Sequence, residues 1–387
     1  MEQRVSEQRI RFVLRAASGN EEMAGLCREF GVSRPTGYLW LKRFRESGRI
    51  EELAERSRRP KSIPGKTPEA IESRVVEERK RRPDWGARKL QVVLKRAEVE
   101  LPPVTIHRIL QRNRLILPHN QHRPALKRFQ REKPNQLWQT DFKGLPANLS
   151  KGCSPLSMLD DCSRFCLELK DLNGTKAEPV KQTFEQTFEE NGLPDGMLLD
   201  HGTPWWNANH PWGWTGLSIW LMKKGISLHF CAVRHPQTQG KVERFHRSME
   251  DALNERGFPS SRDEWGPWLS AFRQEYNQER PHEALAMKTP AEYWKPSSRR
   301  PEAIASDWEY EDGSQVMRVG SSGQIRYAQH AYMVSGALSG EWIELKPLTA
   351  DRLLLYYRRT CVREINLQKR QSYPVYFSRE ERVFEDD

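Results

Sequence analysis

The chain has 387 residues, with 63 Lys plus Arg against 52 Asp plus Glu and a formal charge of +11. Its 37% of hydrophobic residues, 13 Trp among them, exclude wholesale disorder, and its length fits roughly two to four domains. The positive balance favours a polyanionic partner, nucleic acid first. No signal-peptide core opens the chain and no run of about 18 apolar residues occurs, so a soluble, intracellular protein with no membrane partner is expected.

Near the N-terminus, Met23 to Phe44 carries apolar residues at Leu26, Phe30 and Val32, then at Tyr38, Leu39, Leu41 and Phe44. Two short helices around a turn at Gly31 fit this pattern, with Ser33 capping the second. That helix bears Arg34, Thr36, Lys42 and Arg43 on its polar positions, as a helix-turn-helix does when its second helix enters a major groove. A plain helical hairpin with a solvated basic face is the alternative. Arg58 and Arg59 follow in a basic, proline-broken linker that can track a groove.

A second helical unit is expected from Thr67 to Leu117. Thr67 reads as its N-cap, a helix runs from Ala87 to about Arg96, Pro102 and Pro103 break it, and Thr105 to Leu115 forms the last helix. The segment from His119 to Lys133, with Lys127 and Arg128, reads as a basic linker. His119 and His122 have no cysteine pair to complete a zinc site. The six cysteines, none in a CxxC pair, read as reduced thiols.

Beyond the linker the pattern alternates. Trp138 to Phe142 reads as a strand, and Ser157 to Leu169 as a hairpin turning near Asp160 to Ser163. Val180, Phe184 and Phe188 mark a helix ended by Gly192. A short strand, Met197 to Leu199, stops at Asp200. Leu217 to Lys224, Ile226 to Cys231 and Lys241 to Leu253 follow as helix, strand and helix, so the centre is an α/β core. From about Ser314 short β-rich runs continue to Tyr357 and read as a small β-barrel, with a charged tail past Asn366.

Asp141, Asp200 and Glu243 each stand where an apolar run meets a polar loop. Three carboxylates so placed can hold hard divalent cations, and two such ions can clamp the attacking and leaving oxygens of a phosphate displacement. Lys241 and Arg244, beside Glu243, can contact DNA phosphates. His201 can orient a water or a phosphate, or be an ordinary loop histidine. Asp160 and Asp161 read as turn acids that serve the backbone. Trp205, Trp206, Trp212 and Trp214 read as packing residues, with base stacking as the rival.

The ordered motifs LWQTDFKG, LDDCSRF, DHGTPW, HPQTQGKVERFH and YNQERPHEALAMKTPAEYW, spanning Pro134 to Trp294, resemble bacterial insertion-sequence transposases of the retroviral-integrase superfamily. The resemblance implies a ribonuclease-H-like core with Asp141, Asp200 and Glu243 as catalytic, metal-holding triad. It also implies Mg²⁺ as cofactor, Mn²⁺ as a substitute, and two ions per site. The 43 positions from Asp200 to Glu243 exceed the superfamily's usual spacing, and a Trp-rich insertion at Ala208 to Thr215 accounts for the surplus.

The expected fold class is thus multi-domain α+β. Residues 1–60 form a helix-turn-helix domain, 61–118 a second helical DNA-binding domain and 119–134 the linker. Residues 135–298 form the ribonuclease-H-like integrase core and 299–387 the barrel with its tail. The expected activity is binding of terminal inverted repeats, strand cleavage and strand transfer. The partners are double-stranded DNA and at least one further copy of the chain, in the nucleoid of a bacterial cytoplasm. A non-catalytic DNA-binding regulator and a structure-specific nuclease are the rivals.

Overall fold

The computed structural model describes residues 2–53, 65, 67–116, 130–207, 213–230, 240–301 and 308–375. Arg58, Arg59, Lys127, Arg128, Trp212 and the stretch 231–239 lie outside the described residues. The chain divides into two compact units, Met1–Thr67 and Pro68–Asp387.

The first unit packs three helices, α1 (Glu2–Ala17), α2 (Met23–Glu29) and α3 (Arg34–Ser47), over Phe12, Val13, Leu26, Cys27 and Leu41. Gly31 turns the chain between α2 and α3 at φ 64°, and Ser33 caps α3 by accepting the Thr36 N–H at 3.4 Å. Gly37 lets α3 approach closely, since a Cβ there would lie 2.7 Å from Phe12 Cζ and 2.9 Å from Cys27 Sγ. Tyr38 and Leu39, expected on the apolar side, point outward at 57% and 46% exposure. Trp40 takes the inward place, edge-on to Phe12. The reason is α1, which a reading of two helices omits and which fixes the buried side of α3.

In the second unit α4 (Glu69–Arg81), α5 (Ala87–Arg96) and α6 (Pro103–Arg112) enclose Val75, Trp85, Leu90, Leu94, Ile106 and Ile109. Pro68, not Thr67, occupies the N-cap of α4. Pro103 stands at the start of α6 rather than as a breaker before it, because its missing N–H is unneeded there.

A five-stranded sheet follows, built from β1 (Leu137–Phe142), β2 (Pro155–Asp160), β3 (Cys166–Asp171), β4 (Gly196–Leu199) and β7 (Ser227–Phe230) in the order β3-β2-β1-β4-β7. The first three strands are antiparallel, whereas β1, β4 and β7 run parallel. On one face lie α8 (Ala177–Asn191) and α9 (Gly216–Lys223), with Val180, Phe184, Phe188 and Leu221 against Trp138, Met158 and Leu199. On the other lie α10 (Gly240–Arg256) and α11 (Trp265–Gln274), with Phe245, Met249, Trp265 and Leu269 against Leu159 and Cys166. This is the ribonuclease-H-like arrangement. Short helices α7 (Ala147–Ser150) and α12 (Pro290–Tyr293) fill connections, and β5 (Trp206–Asn207) pairs antiparallel with β6 (Gly213–Trp214).

The C-terminal strands are β8 (Gln315–Arg318), β9 (Gln324–Tyr327), β10 (His330–Met333), β11 (Trp342–Thr349), β12 (Arg352–Tyr357), β13 (Thr360–Asn366) and β14 (Gln371–Pro374). They make an antiparallel five-stranded sheet, β14-β13-β12-β11-β8, beside a β9–β10 hairpin. Among the described residues no ladder joins β14 to β8, so the ladders alone do not make the expected small β-barrel; Ser372 Oγ of β14 donates to Met333 O of β10 at 2.6 Å. Its apolar side chains, Val319, Ile343, Leu355 and Ile365, share one hydrophobic cluster with Leu217 and Leu228 of the core. Thr360 Oγ1 accepts the Leu228 N–H at 3.0 Å, which occupies part of the edge of β7. Strand β14 also replaces part of the tail expected past Asn366.

Candidate active site

Strand β1 is buried through Thr140 and opens to solvent at Asp141 and Phe142. The β1–β4 register pairs Gln139 with Leu198, so Asp141 and Asp200, each two residues further on, emerge at adjoining strand ends. Glu243 comes from the first turn of α10, where Val242, Phe245, His246 and Met249 are buried and leave it exposed. Asp141 and Glu243 line one open cavity of about 340 Å³ with Lys143, His246, Arg247 and Glu250. Asp200 is not part of that lining. Among the described residues no three His, Cys, Asp or Glu side chains stand close enough together to grip a metal ion as they are.

The electrostatics nevertheless tie the three acids together. Burial pushes the Asp141 carboxyl up to about 7; the charge of Asp200 and, less strongly, that of Glu243 add to it, while the Phe142 N–H and Lys143 oppose it. Asp141 and the two acids whose charges act on it form an all-oxygen donor set. That chemistry fits a hard divalent cation.

Each acid is also held. Asp200 Oδ1 accepts Trp205 Nε1–H at 2.7 Å and the Gly202 N–H at 3.0 Å, and Trp205 stacks on Phe142 at 5.6 Å, next to Asp141. Lys143 and Glu250 pair at 2.6 Å within the cavity lining. His246 bonds Ser157 at 2.8 Å, with Nδ1 3.8 Å from Asp141 Oδ2. Burial, then Lys143, holds His246 down at about 3, so the ring is neutral and its contact with Asp141 is not an ion pair.

Several expectations change. Lys241, expected to contact phosphates, is turned into the protein: its Nζ meets Asp161 Oδ1 at 2.6 Å with 13% of the side chain exposed. Asp160 and Asp161 are both fully buried. Asp160 serves the backbone as expected, accepting from Asn135 N, Ser163 N and Ser163 Oγ, whereas Asp161 also takes two side chains, Lys241 Nζ and Gln139 Nε2. Arg244 is exposed as expected. Arg247, four residues after Glu243 on the same face of α10, lines the cavity and was legible from that spacing. His201 packs against Trp206 and Phe230, with burial lowering its pKa and Asp200 raising it. Trp205, Trp206 and Trp214 are buried, as packing residues should be.

On α3, Arg34 and Lys42 are exposed and Arg43 is half-exposed. The Thr36 hydroxyl is tied to Ser33 Oγ at 2.8 Å, which makes it part of the helix cap.

Residues 131–236 and 224–290 match two models of the integrase core domain. Residues 8–61 match a helix-turn-helix domain and residues 36–110 a homeodomain-like domain. The chain is 23% identical over 232 residues to the "Insertion element IS407 uncharacterized 31.7 kDa protein" of Burkholderia multivorans (strain ATCC 17616 / 249), covering 58% of this chain and 80% of the relative. It is 24% identical over 261 residues to the "Insertion element IS476 uncharacterized 39.2 kDa protein" of Xanthomonas euvesicatoria, covering 64% and 71%. Among solved structures it is similar to the HTLV-2 integrase catalytic core domain in complex with magnesium (dimeric form), with a TM-score of 0.32, 16% identity, and coverage of 42% of this chain and 97% of that one.

Proposed function

From a chain that carries an integrase core behind N-terminal helix-turn-helix domains and is related to insertion-element proteins, we propose a DNA transposase. It binds the terminal inverted repeats of its element, cleaves a strand there to free a 3′-hydroxyl, and joins that hydroxyl to a target phosphodiester. The observation that carries the reading is the meeting of Asp141 and Glu243 in one cavity, with the charge of Asp200 pressing on Asp141 from the next strand.

Asp141, Asp200 and Glu243 are the residues that would hold Mg²⁺ or Mn²⁺, two ions in a full site. Bound there, the ions would polarise the phosphate and stabilise the attacking and leaving oxygens. The protein's own groups do the rest. Trp205 and Gly202 orient the Asp200 carboxylate. Neutral His246, fixed by Ser157, supports the wall beside Asp141 without adding a competing charge. Arg247 in the cavity and exposed Arg244 on the same helix meet phosphate oxygens of the substrate. Exposed Arg34 and Lys42 on α3 meet the duplex. The outer boundaries of the helical domains, the linker and the core are those stated from the sequence, and the protein works as at least a dimer on DNA.

The test is an assay with labelled terminal-repeat DNA, whose three readings are binding alone, cleavage alone and a joined product. Joined product that requires a divalent cation is expected. Glu243→Gln keeps the side-chain shape and removes a ligand charge, so joining should fall by more than the about 10- to 100-fold typical of outer-shell partners, with DNA binding retained. Joining at the wild-type rate in that variant would show that the site is elsewhere.

A further inference from the structure

We propose that Asp161 and Gln139 are positioning residues that lock the first turn of α10 onto β1 and so hold Glu243 against Asp141; the role rests on the metal reading above. Both side chains are fully buried. Asp161 Oδ1 receives Lys241 Nζ at 2.6 Å and Gln139 Nε2 at 2.8 Å, and Oδ2 receives the Arg131 N–H at 2.7 Å. Gln139 in turn accepts the Val242 N–H through Oε1 at 3.2 Å.

The chain positions give the network its meaning. Gln139 lies two residues before Asp141 on β1, on the same side of the strand. Lys241 and Val242 immediately precede Glu243 on α10. One buried carboxylate thus touches, directly or through one amide, both the strand that carries the first acid and the helix that carries the third.

The chemistry of the groups makes the arrangement directional. A carboxylate only accepts, and a backbone N–H only donates. Gln139 stands between them, so its amide has one satisfactory orientation; flipping it would set oxygen against oxygen and N–H against N–H. The Val242 N–H is one of the first-turn donors that a helix cannot satisfy internally, so Gln139 also terminates α10. A buried ion pair adds little stability over well-packed apolar residues. Its value at this place is geometric, since Lys241 can reach Asp161 only when α10 begins where it does.

The experiment uses the full-length chain and measures Mn²⁺ binding by titration calorimetry, so it does not depend on activity. Asp161→Asn and Gln139→Met should each weaken Mn²⁺ binding by about 10-fold or more, the size of an outer-shell defect, while melting remains cooperative. Gln139→Met changes no charge and carries the test if Asp161→Asn fails to fold. Lys241→Arg, which keeps the ion pair, should bind as the wild type does. In a Glu243→Gln background, Asp161→Asn should cause no further loss, because the residue it positions is already disabled. Wild-type binding in Asp161→Asn and Gln139→Met, or an equal further loss with and without Glu243, would overturn the positioning role. A wild-type chain that binds no Mn²⁺ would be a separate result and would overturn the metal reading underneath it.

Discussion

At the scale of single residues, Asp141 is the group whose state decides the site. Burial and two neighbouring carboxylates raise it from 3.8 to about 7. Between those values the folded, metal-free protein keeps a proton that the unfolded chain releases, so this group's contribution to stability is full below about 3.8 and is lost as pH rises through about 7. Cation binding must expel the same proton, and the sign is therefore opposite: affinity for Mn²⁺ should strengthen from pH 6 to pH 8. Calorimetry in two buffers of different ionisation enthalpy would count the proton released. Asp141→Asn should bind weakly at both pH values. A wild-type affinity that does not vary with pH would show that Asp141 is not a ligand. The acid itself was legible from its place at the end of an apolar run. Its raised pKa was not, because that depends on burial and on Asp200, which follows β4, the third strand after β1 in sequence.

At the scale of elements, the turn between α4 and α5 shows what sequence period cannot reveal. Asp84 sits in that turn with its side chain fully buried, 2.6 Å from both Arg256 of α10 and Arg280. Trp85 beside it lies 5.0 Å from the Arg82 guanidinium and 5.9 Å from that of Arg280. A Pro-Asp-Trp-Gly turn reads as a connection; only the fold shows that it fastens the α4–α6 bundle to the helix bearing Glu243. Burial alone would raise the Asp84 pKa, but Arg280 and Arg256 outweigh it and hold the pKa below its usual value. Its contribution to stability is therefore present above about pH 3.8 and is lost as pH falls through the lower folded value. Asp84→Ala leaves two arginines facing a buried gap and should cost about 3–5 kcal/mol. Urea denaturation would measure this, and a loss below about 1 kcal/mol would mean that the arginines find other partners. The same blindness explains α3: of its apolar residues Leu41 is buried while Tyr38 and Leu39 are exposed, because α1 fixes the buried side. It explains the C-terminal sheet too, since alternation gives strands but does not say whether an apolar face closes on itself or is covered by α9 and β7.

At the scale of the whole molecule, charge and stoichiometry follow from the proposed reaction. An element has two ends, and each chain offers one set of Asp141, Asp200 and Glu243, so joining both ends requires at least two chains in one complex. For the proposed assembly on DNA, the formal charge of +11 predicts an electrostatic contribution, so affinity should fall with salt. Lys42, 71% exposed on α3, stands where a phosphate contact is expected; Lys42→Ala should reduce the slope of log K against log salt by about 1 and weaken all duplexes alike. Tyr38→Ala or Leu39→Ala removes an exposed apolar contact without charge. These variants should leave the slope unchanged and reduce discrimination between the terminal repeat and unrelated DNA. Light scattering on the purified complex with end DNA should give at least twice the 45.3 kDa chain mass plus two duplexes. A joined product formed by complexes that hold a single chain would remove the requirement for pairing, and each chain would then have to act on both ends in turn.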